Sequence, residues 1–121
     1  MKHVLALLIT GAALSGHAQA AGNAVQGQKL YQAMCAACHS MEYNGVGPAH
    51  KGVFGRKAGS QAGYSYSPAL KASKVVWGEK DLDRWLTNPE KFIPGQKMGF
   101  LVASASDRAD LVAYLKMAAK P

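Results

Sequence analysis

Between Ser40 and Ala69 the chain holds six glycines and two prolines. Residues of that kind punctuate helices and strands, so the whole stretch reads as loop and turn. A loop that long is uncommon inside a small domain. It is compatible with a folded protein if the loop wraps something that is not protein. The chain has 121 residues, room for one domain and not for a two-domain enzyme built around a large cleft. With 49% apolar and 17% charged residues, it is not a disordered tail.

The first twenty residues stand outside that domain. Met1-Lys2 gives a positive start, Val4 to Ile9 is apolar, and a mostly small, apolar stretch runs on to Leu14. Ala18-Gln19-Ala20 then supplies a small-residue cleavage site. Together these predict a secretory signal over 1–20, cleaved after Ala20, with the folded domain over 21–121. The rival is an uncleaved anchor, but a membrane-spanning helix needs about 20 apolar residues. Cleavage removes Lys2, His3 and His17, so the mature chain keeps only His39 and His50 as histidines.

Three helices are predicted from local pattern. Asn23 can cap a helix reaching Cys38, with Val25, Leu30, Tyr31 and Met34 at helical spacing. Asp81 to Asn88 carries Leu82, Trp85 and Leu86 on one face, and Pro89 stops it. Ser106 can cap a last helix whose first turn holds Asp107 and Asp110, the favourable sign for a helix N-terminus. Leu111, Tyr114 and Leu115 give that helix an apolar stripe. Three short helices and a long loop bury little core by themselves, so something else must fill the middle.

Cys35-Ala-Ala-Cys38-His39 supplies a candidate. This is the C-x-x-C-H pattern of c-type haem attachment. Two thiols three residues apart near a helix end can reach the two vinyl groups on one porphyrin edge. The next residue, His39, can then turn its imidazole under the ring and ligate iron. The pattern uses both cysteines of the chain. A structural disulfide, a redox dithiol and a zinc site are weaker readings. The dithiol expects strands alternating with helices, which are not seen, and zinc would need about four ligands. For the second axial position the candidates are His50, Met34, Met41, Met98 and Met117. Met34 and Met41 flank the attachment segment, and Met117 sits near the end of the last helix. Met98, in a Gly- and Pro-bounded loop, is favoured, and His50 is its main rival. His/Met ligation raises the potential and leaves no open position for oxygen chemistry.

Residues 22–117 resemble a class I cytochrome c, of the mitochondrial and bacterial cytochrome c2 kind. The matching motifs are Cys35-Ala-Ala-Cys-His39, Val46-Gly-Pro48, Gly52-Val-Phe-Gly-Arg56, Gly63-Tyr-Ser-Tyr-Ser67, Trp77, Leu82 through Pro89, Pro94 to Phe100, and Asp110 to Leu115. The resemblance implies an all-α fold of three to five short helices, with long loops wrapped around one covalently bound haem c. It implies thioether bonds from Cys35 and Cys38, and His39 and Met98 on the iron. It implies that the Pro48 carbonyl orients His39, that Arg56, Tyr66 and Trp77 surround the haem propionates, and that Trp85 lies beside Met98. It also implies that Gly27 and Tyr31 on the first helix meet Leu111 and Tyr114 on the last.

Some positions depart from the family pattern. His50 stands where leucine is usual, and a titratable ring there predicts a pH-dependent potential between pH 5 and 8. Gln96 replaces a threonine, Leu70 an asparagine and Trp85 a tyrosine. These changes make the distal pocket more apolar, which favours the less charged ferrous form. The implied function is a soluble one-electron carrier of the periplasm, not an enzyme. Its expected partners are acidic redox proteins: a cytochrome bc1-type complex, a terminal oxidase, or a periplasmic dehydrogenase or reductase. A formal net charge of +7 suits such partners, with Lys29, Lys51 and Lys97 as the expected docking residues. Nucleic acid is not expected as a partner, membrane contact is expected to be peripheral only, and the protein is expected to be a monomer.

Overall fold

A computed structural model describes residues 21–118. The predicted signal segment and its cleavage site lie outside the described residues. Among those residues there are five helices and no strand beyond one isolated bridge, Lys57 with Val76. The helices are α1 (Ala24–Met34), α2 (Pro68–Ala72), α3 (Glu79–Thr87), α4 (Pro89–Phe92) and α5 (Ala105–Ala118). Among the described residues no helix is long and apolar enough to cross a membrane.

Local chemistry explains where each helix begins. The Asn23 side chain accepts from the Gln26 N–H at 3.0 Å and caps α1. That helix stops at Met34, short of the expected Cys38. Both Cys35 and Ala36 N–H groups converge on the Tyr31 carbonyl, and the chain then tightens into turns. Five helices fall within the expected three to five, but two of them were not marked by the local pattern. Ser67 caps α2 and Pro68 occupies its first turn, while Asn88 caps α4 with Pro89 in the same role. Pro89 therefore ends one helix and starts the next. The cap of α5 is Ser104, whose Oγ accepts from the Asp107 N–H at 3.2 Å. Ser106, the expected cap, lies inside the helix.

The two terminal helices pack on one another, and α3 rests on α5. Their seam holds Tyr31 (3% exposed) and Leu111 (1%), with the Tyr31 and Tyr114 rings 5.3 Å apart. Gly27 makes the approach possible. A Cβ there would collide with the Asp110 carbonyl oxygen of α5. Asp110 Oδ1 also accepts from the Asn23 N–H at 2.6 Å, tying the start of α1 to α5. Gly27, Tyr31, Leu111 and Tyr114 thus meet as expected.

The long loops are fixed to this frame at a few points. The Arg56 carbonyl and Trp77 N–H, and the Trp77 carbonyl and Gly55 N–H, form a short ladder at 2.9 and 2.7 Å. Val102 N–H donates to the Leu86 carbonyl at 2.8 Å. Arg108, with its side chain 12% exposed, bonds Asp83 at 2.7 Å and the Val102 and Ala103 carbonyls at 2.9 Å each. The segment following Met98 is thereby pinned to α3 and α5. The Gly- and Pro-rich middle is ordered by such bonds around a cavity.

Candidate functional site

The cavity has a volume of about 330 Å³, within the range of small-molecule sites. Cys35, Cys38, His39, Pro48 and Met98 all line it. Arg56, Tyr66, Trp77 and Trp85 line it as well. The walls are mainly apolar, with α1, α3 and α5 contributing Met34, Leu82 and Leu111 among others.

The attachment segment is shaped by turns. Cys38 and His39 N–H groups both donate to the Cys35 carbonyl, at 3.0 and 2.9 Å. This folds both thiols and the imidazole onto one wall. Cys35 is half-buried and Cys38 exposed, and they are not joined in a disulfide. Burial, and then Cys38, push the Cys35 thiol up to about 11. A redox dithiol needs a thiol shifted the other way. Among the described residues no group of three or more His, Cys, Asp or Glu is placed to hold a metal ion, which leaves the zinc alternative without a ligand set.

The orientation of His39 follows from one bond. His39 Nδ1 lies 2.9 Å from the Pro48 carbonyl oxygen. A carbonyl can only accept, so Nδ1 carries the proton and Nε2 keeps its lone pair. That is the tautomer a metal ligand requires. Burial pulls the His39 pKa down, opposed in part by the Pro48 bond, so the ring is kept neutral. Gly47 makes room for it, since a Cβ at that position would run into the imidazole.

His50 stacks on His39, with centroids 4.0 Å apart and planes 20° from parallel. Its Nδ1 shares a hydrogen bond with the Tyr31 hydroxyl at 3.0 Å. The ring is thus held beside His39 by the stacking and by the Tyr31 bond. Burial, then His39 and Arg56, push its pKa down to about 3. The ring stays neutral from pH 5 to 8, so the expected pH-dependent potential is not supported. The consequence moves to stability. The unfolded ring takes its proton near the ordinary 6.5, the folded ring only near 3. Between those values the unfolded chain binds more protons. The contribution is complete above pH 6.5 and declines toward pH 3, by at most about 1.4 kcal/mol per unit. His50→Leu removes this loss. Urea midpoints of the two proteins are expected to diverge as pH falls from 7 to 4, the variant losing less. Parallel pH profiles would contradict the assignment.

Arg56 is a half-buried cation held by neutral acceptors. It donates to the Lys51 and Ala49 carbonyls at 2.9 Å and to Gln61 Oε1 at 2.5 Å. Among the described residues it pairs with no carboxylate. Burial lowers its pKa, and a buried cation of this kind favours an anionic neighbour. Tyr66 stands close, its hydroxyl accepting from the Gln61 N–H at 3.1 Å and keeping its own proton to donate. Trp77 is buried alongside, its ring in edge contact with Trp85 at 5.4 Å. Two acidic groups of a ligand would find a cation and ring donors at this end of the cavity. A haem fits the wall: two thiols, an imidazole with its lone pair available, and a cationic corner for propionates.

The loop bearing Met98 also lines the cavity, through Gln96, Lys97 and Met98. Lys97 Nζ donates to the Ser65 carbonyl at 2.9 Å and straps this loop to the 60–66 loop. That second loop is held in turn by Tyr64, which donates to the Val46 carbonyl at 2.7 Å, and by Asn44, which donates to the Ala62 carbonyl. Of the three expected docking lysines, Lys97 lines the cavity. Lys29 and Lys51 are exposed but stand away from its wall, and Lys51 faces Glu42 at 3.5 Å. The other candidate methionines are accounted for. Met34 lines the cavity from the end of α1, Met41 packs on the core, and Met117 is 53% exposed. Sequence reasoning missed the Tyr31–His50 bond, Gln61, and the contacts of Glu90 and Gln96 beside Met98. None of these carries a spacing signal.

The cytochrome c family model matches residues 24–119. Cytochrome c of Gossypium barbadense is 48% identical over 99 residues, covering 78% of this chain and 89% of that protein. Cytochrome c of Gibberella zeae is 45% identical over 105 residues, covering 84% and 99%. The solved structure of cytochrome cH from Methylobacterium extorquens superposes with a TM-score of 0.76 at 46% identity, covering 79% of this chain and 99% of that one. With this fold, these motifs and these relatives, the chain belongs to the cytochrome c family, electron-transfer proteins rather than enzymes, with one covalent haem c.

Proposed function

We propose that this chain is a soluble one-electron carrier with His39 and Met98 as axial ligands and Cys35 and Cys38 as the thioether donors. The observation that carries this is the His39–Pro48 bond. It fixes an imidazole with a free lone pair in the wall of a cavity that Met98 also lines. An iron held by nitrogen and thioether sulfur cycles between two oxidation states with its coordination filled. The protein then binds the group, excludes water and places Arg56, Tyr66 and Trp77 where the propionates need partners. Export by residues 1–20 would put the carrier in the periplasm. Exposed Lys29, Lys51 and Lys97 would steer it to acidic respiratory partners, with association weakening as salt rises.

The test is the visible spectrum of the holoprotein in both oxidation states, followed by electron delivery to an acidic redox protein at two salt concentrations. A sharp low-spin ferrous spectrum, unmoved by carbon monoxide, is expected, with slower delivery at high salt. A high-spin ferrous spectrum that shifts with carbon monoxide would replace the carrier by a ligand-binding haem protein.

A further inference from the structure

The loop that presents Met98 rests on α4 through two side chains acting in series. Glu90 Oε1 accepts from the Gly95 N–H at 2.9 Å. Glu90 Oε2 accepts from Gln96 Nε2 at 3.2 Å. The other end of the same amide, Gln96 Oε1, accepts from the Met98 N–H at 2.5 Å. Because the carboxylate can only accept, it commits the Gln96 nitrogen to itself and turns the amide oxygen toward Met98. One carboxylate therefore both closes a turn and sets the polarity of the amide that holds Met98.

The base of this chain is firm. Pro89 is buried, Asn88 caps α4 through the Lys91 N–H, and Ile93 is buried at its end. The turn itself is closed by the Gln96 N–H on the Ile93 carbonyl at 3.3 Å, with Gly95 at φ +89°. That φ suits glycine at the third position of a Pro-Gly turn. Beyond it the loop is lightly held. Lys97 reaches Ser65 by its side chain, and the next backbone anchor is Val102 on Leu86. Between Gln96 and Val102, the Gln96 amide is the contact made to Met98's own backbone. A Cβ on Gly99 would meet nothing, so packing does not hold that side.

The geometry points to Glu90 and Gln96 as positioning residues that determine how readily Met98 leaves the iron. This rests on Met98 being an axial ligand. Glu90 makes no hydrogen bond to Met98 and does not itself line the cavity, so its influence passes through Gln96, which does. The departure from threonine at position 96 gains a purpose: a hydroxyl has its donor and acceptor on one atom, whereas the longer amide carries them on two, and here each meets a different partner.

The test uses holoprotein bearing Gln96→Ala, Glu90→Ala, or both. Imidazole is titrated against the ferric form, and the far-red band of Met–iron ligation reports displacement. Each single variant is expected to lower the imidazole concentration at half-displacement about five- to tenfold, the scale of one net hydrogen bond. The double variant is expected to go little further, since the two act in series. Amide hydrogen exchange at Met98 gives a second readout that needs no ligand. Protection is expected to fall in Glu90→Ala as well as in Gln96→Ala. Unchanged displacement and unchanged Met98 protection in Glu90→Ala would overturn the proposal. A wild type that lacks the far-red band would instead overturn the Met98 ligation, and the positioning role with it.

Discussion

Gly27→Ala is expected to lower the melting temperature by roughly 10–15 °C, the equivalent of about 2 kcal/mol in a domain of this size. Two effects oppose each other. Alanine is the better helix former by about 1 kcal/mol, and in an open helix the substitution would stabilise. At Gly27 the new methyl would collide with the Asp110 carbonyl oxygen and come 2.8 Å from Tyr114 Cβ. The obstacle is mainly backbone, which has no rotamer to change. Asp110 is further held by its bond to the Asn23 N–H, so α5 cannot slide locally. The helices must separate, and that loosens the seam around Tyr31 and Leu111. Overpacking of this kind costs about 1–3 kcal/mol and sometimes more, which exceeds the propensity gain. Gln28→Ala, one residue on and exposed, is the control and should stay within about 0.5 kcal/mol of wild type. Thermal unfolding of the two variants followed by circular dichroism decides the matter. A Gly27→Ala protein as stable as wild type would mean that the seam has slack.

Which features the sequence made legible depends on how far apart the interacting groups lie. Asn23, Pro89 and the C-x-x-C-H segment act on residues a few positions away, so their chemistry shows in the spacing. The same holds for Leu82, Trp85 and Leu86 on α3. The errors are of two kinds. Helix ends moved by a few residues where two caps competed, as with Ser104 and Ser106, since both offer a hydroxyl and only packing selects one. The four- and five-residue helices α2 and α4 have too little length to show periodicity, although Ser67-Pro68 and Asn88-Pro89 are cap-and-proline starts. Long-range partners were a different matter. That Arg56 would gather carbonyls from Ala49 and Lys51, or that His50 would lie flat on His39, depends on how the loops close. That Gly27 would meet the last helix was anticipated only through family resemblance, and its contact with Asp110 was not, because nothing in a glycine announces its neighbour.

Met98→Ala is expected to abolish the far-red band of the ferric holoprotein, open the ferrous protein to carbon monoxide and lower the reduction potential. The direction of the last effect follows from the preference of thioether sulfur for the ferrous state. The band is expected to be lost entirely, since of the other candidate ligands only Met34 and His50 line the cavity. His50 is tied to Tyr31 and stacked on His39. Met41 packs on the core without lining the cavity, and Met117 is exposed near the end of α5. Met34 is the informative comparison. It lines the same cavity, and being only partly buried, its truncation is expected to cost less than the roughly 2–5 kcal/mol of a fully buried methionine. Yet it directly precedes Cys35 on the attachment segment. Met34→Ala should therefore lose stability while keeping the band, and Met98→Ala should lose the band whatever its stability. A band that survives in Met98→Ala and disappears in Met34→Ala would reverse the assignment of the sixth ligand. The carrier function would then rest on a different wall of the same cavity.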